Sequence, residues 1–267
     1  MGRLVGSGEH GFSAFIETNE GNYLFDTGSG HSIVGNSLAL GKDLKTVKRI
    51  FLSHGHYDHS GGLPDVLKLR GKVDVHVHPD VFIDRIHVFQ EEGQEKKRFV
   101  GLPFKKSYLE FLGANFLMNK DYREVEKGLF LTGEVPRTTA FEKPDSRLFS
   151  EKDGKIGQDI FADDQSLVID TEKGLLLILG CAHSGLINII HHVMGKTRKD
   201  KFHAILGGTH LDFLTPEQLE ETIHVLKGMD VERIGASHCT GMRAAFRLHQ
   251  EFGDRFFYGC VGSVLEV

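Results

Sequence analysis

The sequence predicts a layered α/β fold, organised as a single domain. Three observations predict it. Short apolar runs of strand character recur through both halves of the chain. Stretches of helical period follow several of them, most clearly TPEQLEETIHVLKGM. No evident linker divides the 267 residues, so the strands and helices have one core to share.

The elements follow in order. FSAFIET and NYLFDTG flank NEG and read as a hairpin. KRIFLS is the next strand, and LPDVLKL, after Gly61 and Gly62, is a short helix. KVDVHVH alternates with period two and is another strand. From Asp84 to about Lys127 the pattern loosens. FQEEGQEKKRF is charged and VGLPF is a breaker, so the stretch at about 84–127 is expected to be an insertion or lid. GLFLTGEV resumes the strand pattern, and TTAFEKPDSRLFSEKDGKIGQD reads as loop.

The second half repeats this logic. SLVIDTEKGLLLILG is a strand, a turn and a strand. GLINIIHHVMG is a helix with Leu186, Ile189, Ile190 and Val193 on one face. KFHAILGG is a strand. In the next helix Thr215 is the N-cap, Pro216 takes the first helical position and Gln218 completes a capping box. VERIGAS is a strand, GMRAAFRLHQEFG a helix, and RFFYGCVGSVLEV closes the chain as strand.

Composition removes several function classes. A formal charge of −5 argues against general electrostatic binding to nucleic acid. No apolar run reaches the length needed to span a membrane. The start, MGRLVGSGEHG, has no apolar signal core, and its sixth residue is Gly where a myristoylation signal needs Ser or Thr. Cys181, Cys239 and Cys260 form an odd, sparse set that suits a reducing compartment. The expectation is a cytoplasmic protein acting on a small molecule, without a nucleic-acid or membrane partner. Oligomeric state leaves no signal in the sequence.

The densest chemistry is in FLSHGHYDHSGGLPDVL, which packs His54, His56, Asp58 and His59 between a strand and a helix. Two imidazoles two residues apart on extended backbone point the same way, so His54 and His56 can reach one ion. Asp58 and His59 turn the other way, toward a second. Imidazole with carboxylate suits Zn²⁺, Mn²⁺ or Fe²⁺ rather than Ca²⁺ or Mg²⁺. The chain holds sixteen histidines, so an isolated His-x-His would read as a solvated loop. The full His-x-His-x-Asp-His pattern reads as a metal site.

SHGHYDH resembles the signature of the metallo-β-lactamase superfamily, whose fold is a four-layer αββα sandwich with mixed sheets and two similar halves. LFDTG, with Asp26, resembles the family's first motif, where the Asp supports the metal loop from behind. RIGASHCTG places His238 at the family's last motif. EHGFSAFIET, LFDTG, SHGHYDHSGGL, TGEVPR, GCAHSG, GGTHL and SHCTG, in this order, are similar to one branch. That branch takes its name from dihydropterin-methyl ribofuranosylaminobenzene-phosphate synthase, and many of its bacterial members are called only metal-dependent hydrolases. Fold transfers from such a resemblance better than substrate does.

One region departs from the family pattern. Typical members place a third His before one strand and a bridging Asp after the next. Here Asp163 and Asp164 stand before the hairpin SLVIDTEKGLLLILG, and Cys181 and His183 stand after it. The resemblance implies His183 as a ligand. Asp164 either fills the earlier place or is a solvated loop residue. Without a bridging carboxylate the site holds one ion, or two that are poorly matched. His210 reads equally as a substrate contact or as a residue that orients ligands. Arg137 in TGEVPR either pairs with a phosphate or is an ordinary surface Arg. Cys181 and Cys239 read as small buried apolar side chains. His76, His78, His191 and His192 read as structural, and the branch puts His10 near the site.

The resemblance implies a metal-dependent hydrolase acting on a small, phosphorylated substrate. His54, His56 and His183 would hold one ion; Asp58, His59 and His238 would hold the second. The ion lowers the pKa of a bound water and supplies hydroxide, with Asp58 and His210 as the catalytic side chains. A second expectation keeps the metal but changes the reaction to that of the pterin branch, where diphosphate leaves a pterin methyl carbon as an arylamine attacks. A third is a non-catalytic metal-binding or sensor protein. It fits less well, because purely structural zinc sites are closed by four protein ligands.

Overall fold

The computed structural model describes residues 6–267. The readings on export and lipidation rest partly on the first five residues, which lie outside that range. The chain folds as two compact units: residues 6–119 with Pro144–Asp163, and Lys120–Lys143 with Asp164–Val267.

The first unit carries a five-stranded sheet in the order Ala14–Thr18, Gly21–Phe25, Val47–Phe51, Val73–Val77, Ala114–Met118. The first pair is the antiparallel hairpin expected around NEG, and the remaining pairings are parallel. Successive residues Tyr23, Leu24 and Phe25, and likewise Ile50, Phe51 and Leu52, are all buried. Such runs, apolar on both faces, are what a covered parallel sheet requires. Helix Leu63–Arg70 buries Leu63, Val66 and Leu67 at helical spacing against this sheet's core. Each of those side chains contributes about 1.5–3 kcal/mol by leaving water.

A second sheet in this unit differs from expectation. Lys155–Gln158, Leu148–Lys152, Asp84–Glu91 and Gln94–Phe99 pair in that order, all antiparallel. Parts of it lie in stretches that read as loop or insertion. Gln94–Phe99 and Lys155–Gln158 are exposed along their whole length, so no apolar alternation marks them. Two-residue turns hold them instead. Glu92 and Gly93, and Asp153 and Gly154, all have positive φ, as a type I′ hairpin demands. The rest of 84–127 is also regular: helix Lys106–Phe111, strand Ala114–Met118 and strand Arg123–Glu126.

The second unit is built on a seven-stranded sheet. Its order is Phe256–Tyr258, Val231–Ser237, Phe202–Gly208, Gly174–Leu179, Leu167–Thr171, Leu129–Leu131, Arg123–Glu126. The first four strands are mutually parallel and the last four antiparallel. The closing strand is only three residues long, shorter than expected; beyond it the Gly259 N–H still donates to the Ala236 carbonyl oxygen at 2.9 Å. Helices Leu186–Thr197, Pro216–Lys227 and Gly241–Phe252 contribute Ile187, Ile190, Val193, Ile223, Leu226, Ala244 and Leu248 to one core with the sheet. Thr215 caps the second of these through its hydroxyl, which accepts from the Gln218 N–H at 3.3 Å, as the sequence predicted. No helix among the described residues is long and apolar enough to cross a membrane.

Candidate metal centre

In the first unit the strand Val47–Phe51 runs into the histidine loop. His56 stands in extended backbone as the N-cap of the one-turn helix Tyr57–Ser60, which carries Asp58 and His59. The His54 ring centroid is 4.6 Å from that of His56 and 4.2 Å from that of His59. All three rings are buried. The His59 Nε2 lies 4.0 Å from Asp58 Oδ2, a spacing that two ligands of one ion can adopt. The His10 Nε2 stands 3.3 Å from the same carboxylate oxygen, so His10 lies beside Asp58 as the branch resemblance implied.

Asp26 organises this group from beneath. It is wholly buried, with φ 59°. Its Oδ1 accepts from the Ser53 N–H at 2.7 Å, and its Oδ2 accepts from the Ser53 hydroxyl and pairs with His59 Nδ1, both at 2.7 Å. The Ser53 Oγ is also 2.9 Å from His54 Nδ1. A carboxylate on one ring nitrogen fixes the tautomer and leaves the other nitrogen for a ligand. Burial, and then the neighbouring His59 and His56, hold the His54 pKa well below the usual imidazole range, while Asp58 opposes them. The neutral form so favoured is the one that ligates.

Gly61 and Gly62 allow the loop to close, but through space rather than unusual torsion. Their φ values are −64° and −82°. A Cβ on Gly61 would stand 2.3 Å from the Ser29 carbonyl oxygen, and one on Gly62 2.2 Å from that of Thr27. Backbone packs on backbone there.

A second support was not legible in the sequence. Arg85 is buried and forks between Asp159 (Nε to Oδ2, 2.7 Å) and Asp163 (Nη2 to Oδ1, 2.6 Å). The other Asp163 oxygen accepts from the Gly55 N–H, between His54 and His56, at 2.8 Å. Phe161 lies edge-on to His56, centroids 5.2 Å apart. Arg85 is 74 and 78 residues from its partners, and no spacing rule announces such a pair.

In the second unit the chemistry gathers where parallel strands end. Cys181 and His183 follow Gly174–Leu179, His210 follows Phe202–Gly208, and His238 and Cys239 follow Val231–Ser237. The His183 and His210 ring centroids are 4.4 Å apart. A Cβ on Gly208 would meet His238 Cδ2 at 3.2 Å, which places the His238 ring alongside that strand end. Ala182, His210 and His238 all take positive φ, 57°, 55° and 51°, a costly region for residues with a Cβ. The glycines before His210 read as room for a ligand. What approaches them is protein: the Leu179 carbonyl oxygen at Gly207, and the Gly180 carbonyl oxygen with Cys239 Sγ at Gly208.

Asp164 and Arg137 both serve the His183 loop. The buried Asp164 accepts from the Ser184 N–H at 2.8 Å; burial raises its pKa, against hydrogen bonds from Ser184 and His183. Arg137 is half-buried and donates from Nη2 to the His183 carbonyl oxygen at 2.6 Å. Cys181 and Cys239 are buried, as expected of small apolar side chains, but polar groups surround them. The His210 N–H donates to Cys239 Sγ at 3.3 Å. Burial pushes the Cys239 thiol up, yet a hydrogen bond with Cys181 and the His238 and His210 imidazoles hold it well below the ordinary thiol range. Of the histidines read as structural, His191 is exposed, while His192 and His78 are engaged in the scaffold. His192 Nε2 is 3.1 Å from the Thr132 carbonyl oxygen, and the Asp80 N–H donates to His78 Nδ1 at 3.1 Å.

The donor set fits a divalent transition metal. It is imidazole-rich and buried, with His59 held by a carboxylate from behind and His54 biased to its neutral form. Comparison with known proteins agrees. The family model described as Metallo-beta-lactamase superfamily matches residues 6–185. The 7,8-dihydropterin-6-methyl-4-(beta-D-ribofuranosyl)-aminobenzene-5'-phosphate synthase of Methanocaldococcus jannaschii is 30% identical, over 97% of this chain and 90% of its own. An uncharacterized protein of the same organism is 33% identical, over 97% of this chain and 94% of its own. The crystal structure of Tm1679, a metal-dependent hydrolase of the beta-lactamase superfamily, superposes with a TM-score of 0.83 at 28% identity, covering 99% of this chain and 94% of that one. On sequence and fold alike, the chain belongs to the metallo-β-lactamase superfamily.

Proposed function

We propose that this protein is a metal-dependent hydrolase acting on a small, phosphorylated substrate. The observation that carries the reading is the Asp26–Ser53–His59 arrangement, which fixes a buried triple-histidine loop before any ion arrives. The proposed ligands are His54, His56, Asp58, His59, His183 and His238. The ion is zinc, with manganese or iron as alternatives, in one or two copies. When bound, it supplies an activated water near neutral pH. Where it does not coordinate tightly, Asp58 accepts a proton, and His10, 3.3 Å from it, orients that carboxylate. His210 contacts substrate, and the stretch at about 84–127 helps select it. The sparse cysteines support a cytoplasmic location.

Elemental analysis of the protein purified without an affinity tag, beside His183→Ala and His238→Ala variants, tests the ligand set. Metal content should fall in each variant. Content unchanged in both would sink the assignment.

A second reading, a synthase of the pterin branch, is favoured by one observation: 30% identity over 97% of the chain to a protein named as that synthase. The ion would then neutralise charge on a leaving diphosphate. Diphosphate release from a pterin methyl diphosphate that requires an arylamine acceptor would favour this reading. Release without the acceptor would favour hydrolysis.

A further inference from the structure

The antiparallel hairpin of strands Asp84–Glu91 and Gln94–Phe99 carries chemistry that the metal centre does not use. Side chains alternate between the two faces of a strand, so Lys96, Arg98 and Val100 share one face and Glu95, Lys97 and Phe99 the other. Val100 shows where the first face points. Its N–H donates to the Arg85 carbonyl oxygen at 2.9 Å, which continues the ladder, and its own carbonyl oxygen accepts from the Tyr57 N–H at 3.1 Å. Its side chain is buried with Leu148 and Phe161, and Tyr57 packs against them. Tyr57 stands between His56 and Asp58. The face of Lys96 and Arg98 therefore continues outward from the histidine helix.

Two cations on that face are unpaired. Register sets Arg98 opposite His87 and Lys96 opposite Phe89, and the His87 and Phe89 rings stack with centroids 5.3 Å apart. Lys96 and Arg98 are exposed, and among the described residues neither has a hydrogen-bond or ion-pair partner. Burial, and then Asp58, raise the Tyr57 pKa while the Arg98 charge opposes them, so the guanidinium lies within electrostatic reach of that hydroxyl. The other face differs, because Lys97 pairs there with Glu95 at 3.5 Å. One acid shares the cationic face: Glu91, opposite Gln94 at the hairpin tip, about 13 Å along the strand from Arg98. Lysine on an edge strand commonly blocks pairing with another chain. Either face serves that purpose, so it does not account for cations left unpaired on the histidine side alone.

We propose that Arg98 and Lys96 form the subsite for the phosphate group of the substrate. The proposal rests on the phosphorylated-substrate part of the reading above, and it names the residues through which this hairpin selects. A planar guanidinium donates two parallel hydrogen bonds to phosphate oxygens, and an ammonium adds a mobile point charge. The two side chains leave one face at positions about 7 Å apart, a span that one phosphate bridges between side chains of that length.

Phosphorus NMR titration of inorganic phosphate into the full-length protein as purified, with bound metal measured in each sample, tests the subsite. Arg98→Gln should weaken phosphate binding about tenfold, Lys96→Gln about threefold, and Arg98→Lys by an intermediate amount. Lys97→Gln, one position away on the opposite face, should stay within about twofold of wild type. All three side chains are exposed, so the variants leave no buried group unpaired and should fold. Equal weakening in Lys97→Gln would reduce the effect to general attraction and overturn the subsite. So would phosphate binding that ignores Arg98→Gln, or a wild type that takes up no phosphate. Loss of metal in Arg98→Gln would overturn it too, by making Arg98 a support of the histidine loop. Metal retained, with phosphate indifferent to the hairpin, would leave the metal-dependent reading standing. Phosphate that follows Arg98 in a protein without metal would do the reverse.

Discussion

The histidine loop of the first unit and the strand ends of the second gather metal-class donors by opposite constructions. The loop draws His54, His56, Asp58 and His59 from six consecutive positions, and long-range contacts only steady it: Asp26 behind His59, Asp163 behind Gly55. The strand ends take single residues from separate segments, with Cys181 and Cys239 58 positions apart and His210 29 before Cys239. What assembles them is sheet register. A local motif places its donors through short-range geometry and uses buried carboxylates for precision. A dispersed one depends on the whole sheet. Mutations should therefore act differently on the two regions.

The largest expected effect is at Asp26. Asp26→Ala removes three hydrogen bonds at once and leaves the Ser53 N–H buried without its acceptor. The cost to stability should be about 3–5 kcal/mol, as for other buried charged partners, and metal affinity should fall about 10–100-fold. Urea unfolding of the metal-free protein and chelator competition measure the two separately. A loss of affinity with unchanged stability would mean that Asp26 tunes His59 without holding the loop.

Next comes Gly207→Ala in the second unit. The new Cβ would stand 2.1 Å from the Leu179 carbonyl oxygen, at a residue with φ 120°. Overpacking and backbone strain together should cost about 2–4 kcal/mol. Gly61→Ala, at φ −64°, meets only the packing part and should cost about 1–3 kcal/mol. If Gly61→Ala proves the worse, the loop is less self-sufficient than this comparison holds.

The same contrast explains what could be read from the sequence. The loop was legible because its donors are contiguous, and Asp26 because it stands in a motif with its own signature. The strands of both larger sheets were legible where they are covered by helices and so run apolar. Gln94–Phe99 was not, since its exposed side chains carry no period. Asp153-Gly154 was the overlooked signal for its partner hairpin, a dipeptide whose conformation suits a tight hairpin turn. The cysteines read as core because each sequence neighbourhood shows one small side chain. Only register brings His210 and Cys239 together. Arg85 sits in a polar strand, and its aspartates come from a segment that reads as loop.

A smaller effect is expected at Arg137, which donates to the His183 carbonyl oxygen. Arg137→Lys keeps the charge but loses the fork. Stability should drop by about 1 kcal/mol, and any change in metal affinity should stay within about tenfold. If binding of inorganic phosphate weakened sharply while stability held, Arg137 would be a phosphate ligand, as its sequence context allowed.

The smallest effect, and one carrying a sign, belongs to Glu142. Its carboxylate reaches the first-turn N–H groups of helix Leu186–Thr197, accepting from Ile187 and Asn188 at 2.8 Å each, and it receives the Thr139 hydroxyl at 3.1 Å. Burial raises its pKa above the ordinary glutamate value, and the hydrogen bonds only partly offset this. A group whose folded pKa is raised contributes stability that is fully present below its unfolded pKa and lost as pH rises through the folded one. Glu142→Gln cannot titrate. The stability of wild type minus that of Glu142→Gln, followed by urea unfolding, should therefore shrink as pH climbs from the ordinary glutamate range through the raised one. A difference that grows with pH would mean that the helix N-terminus favours the ionised carboxylate more than burial penalises it. In that case the support at the start of helix Leu186–Thr197 is an ion at a helix end rather than a neutral acid.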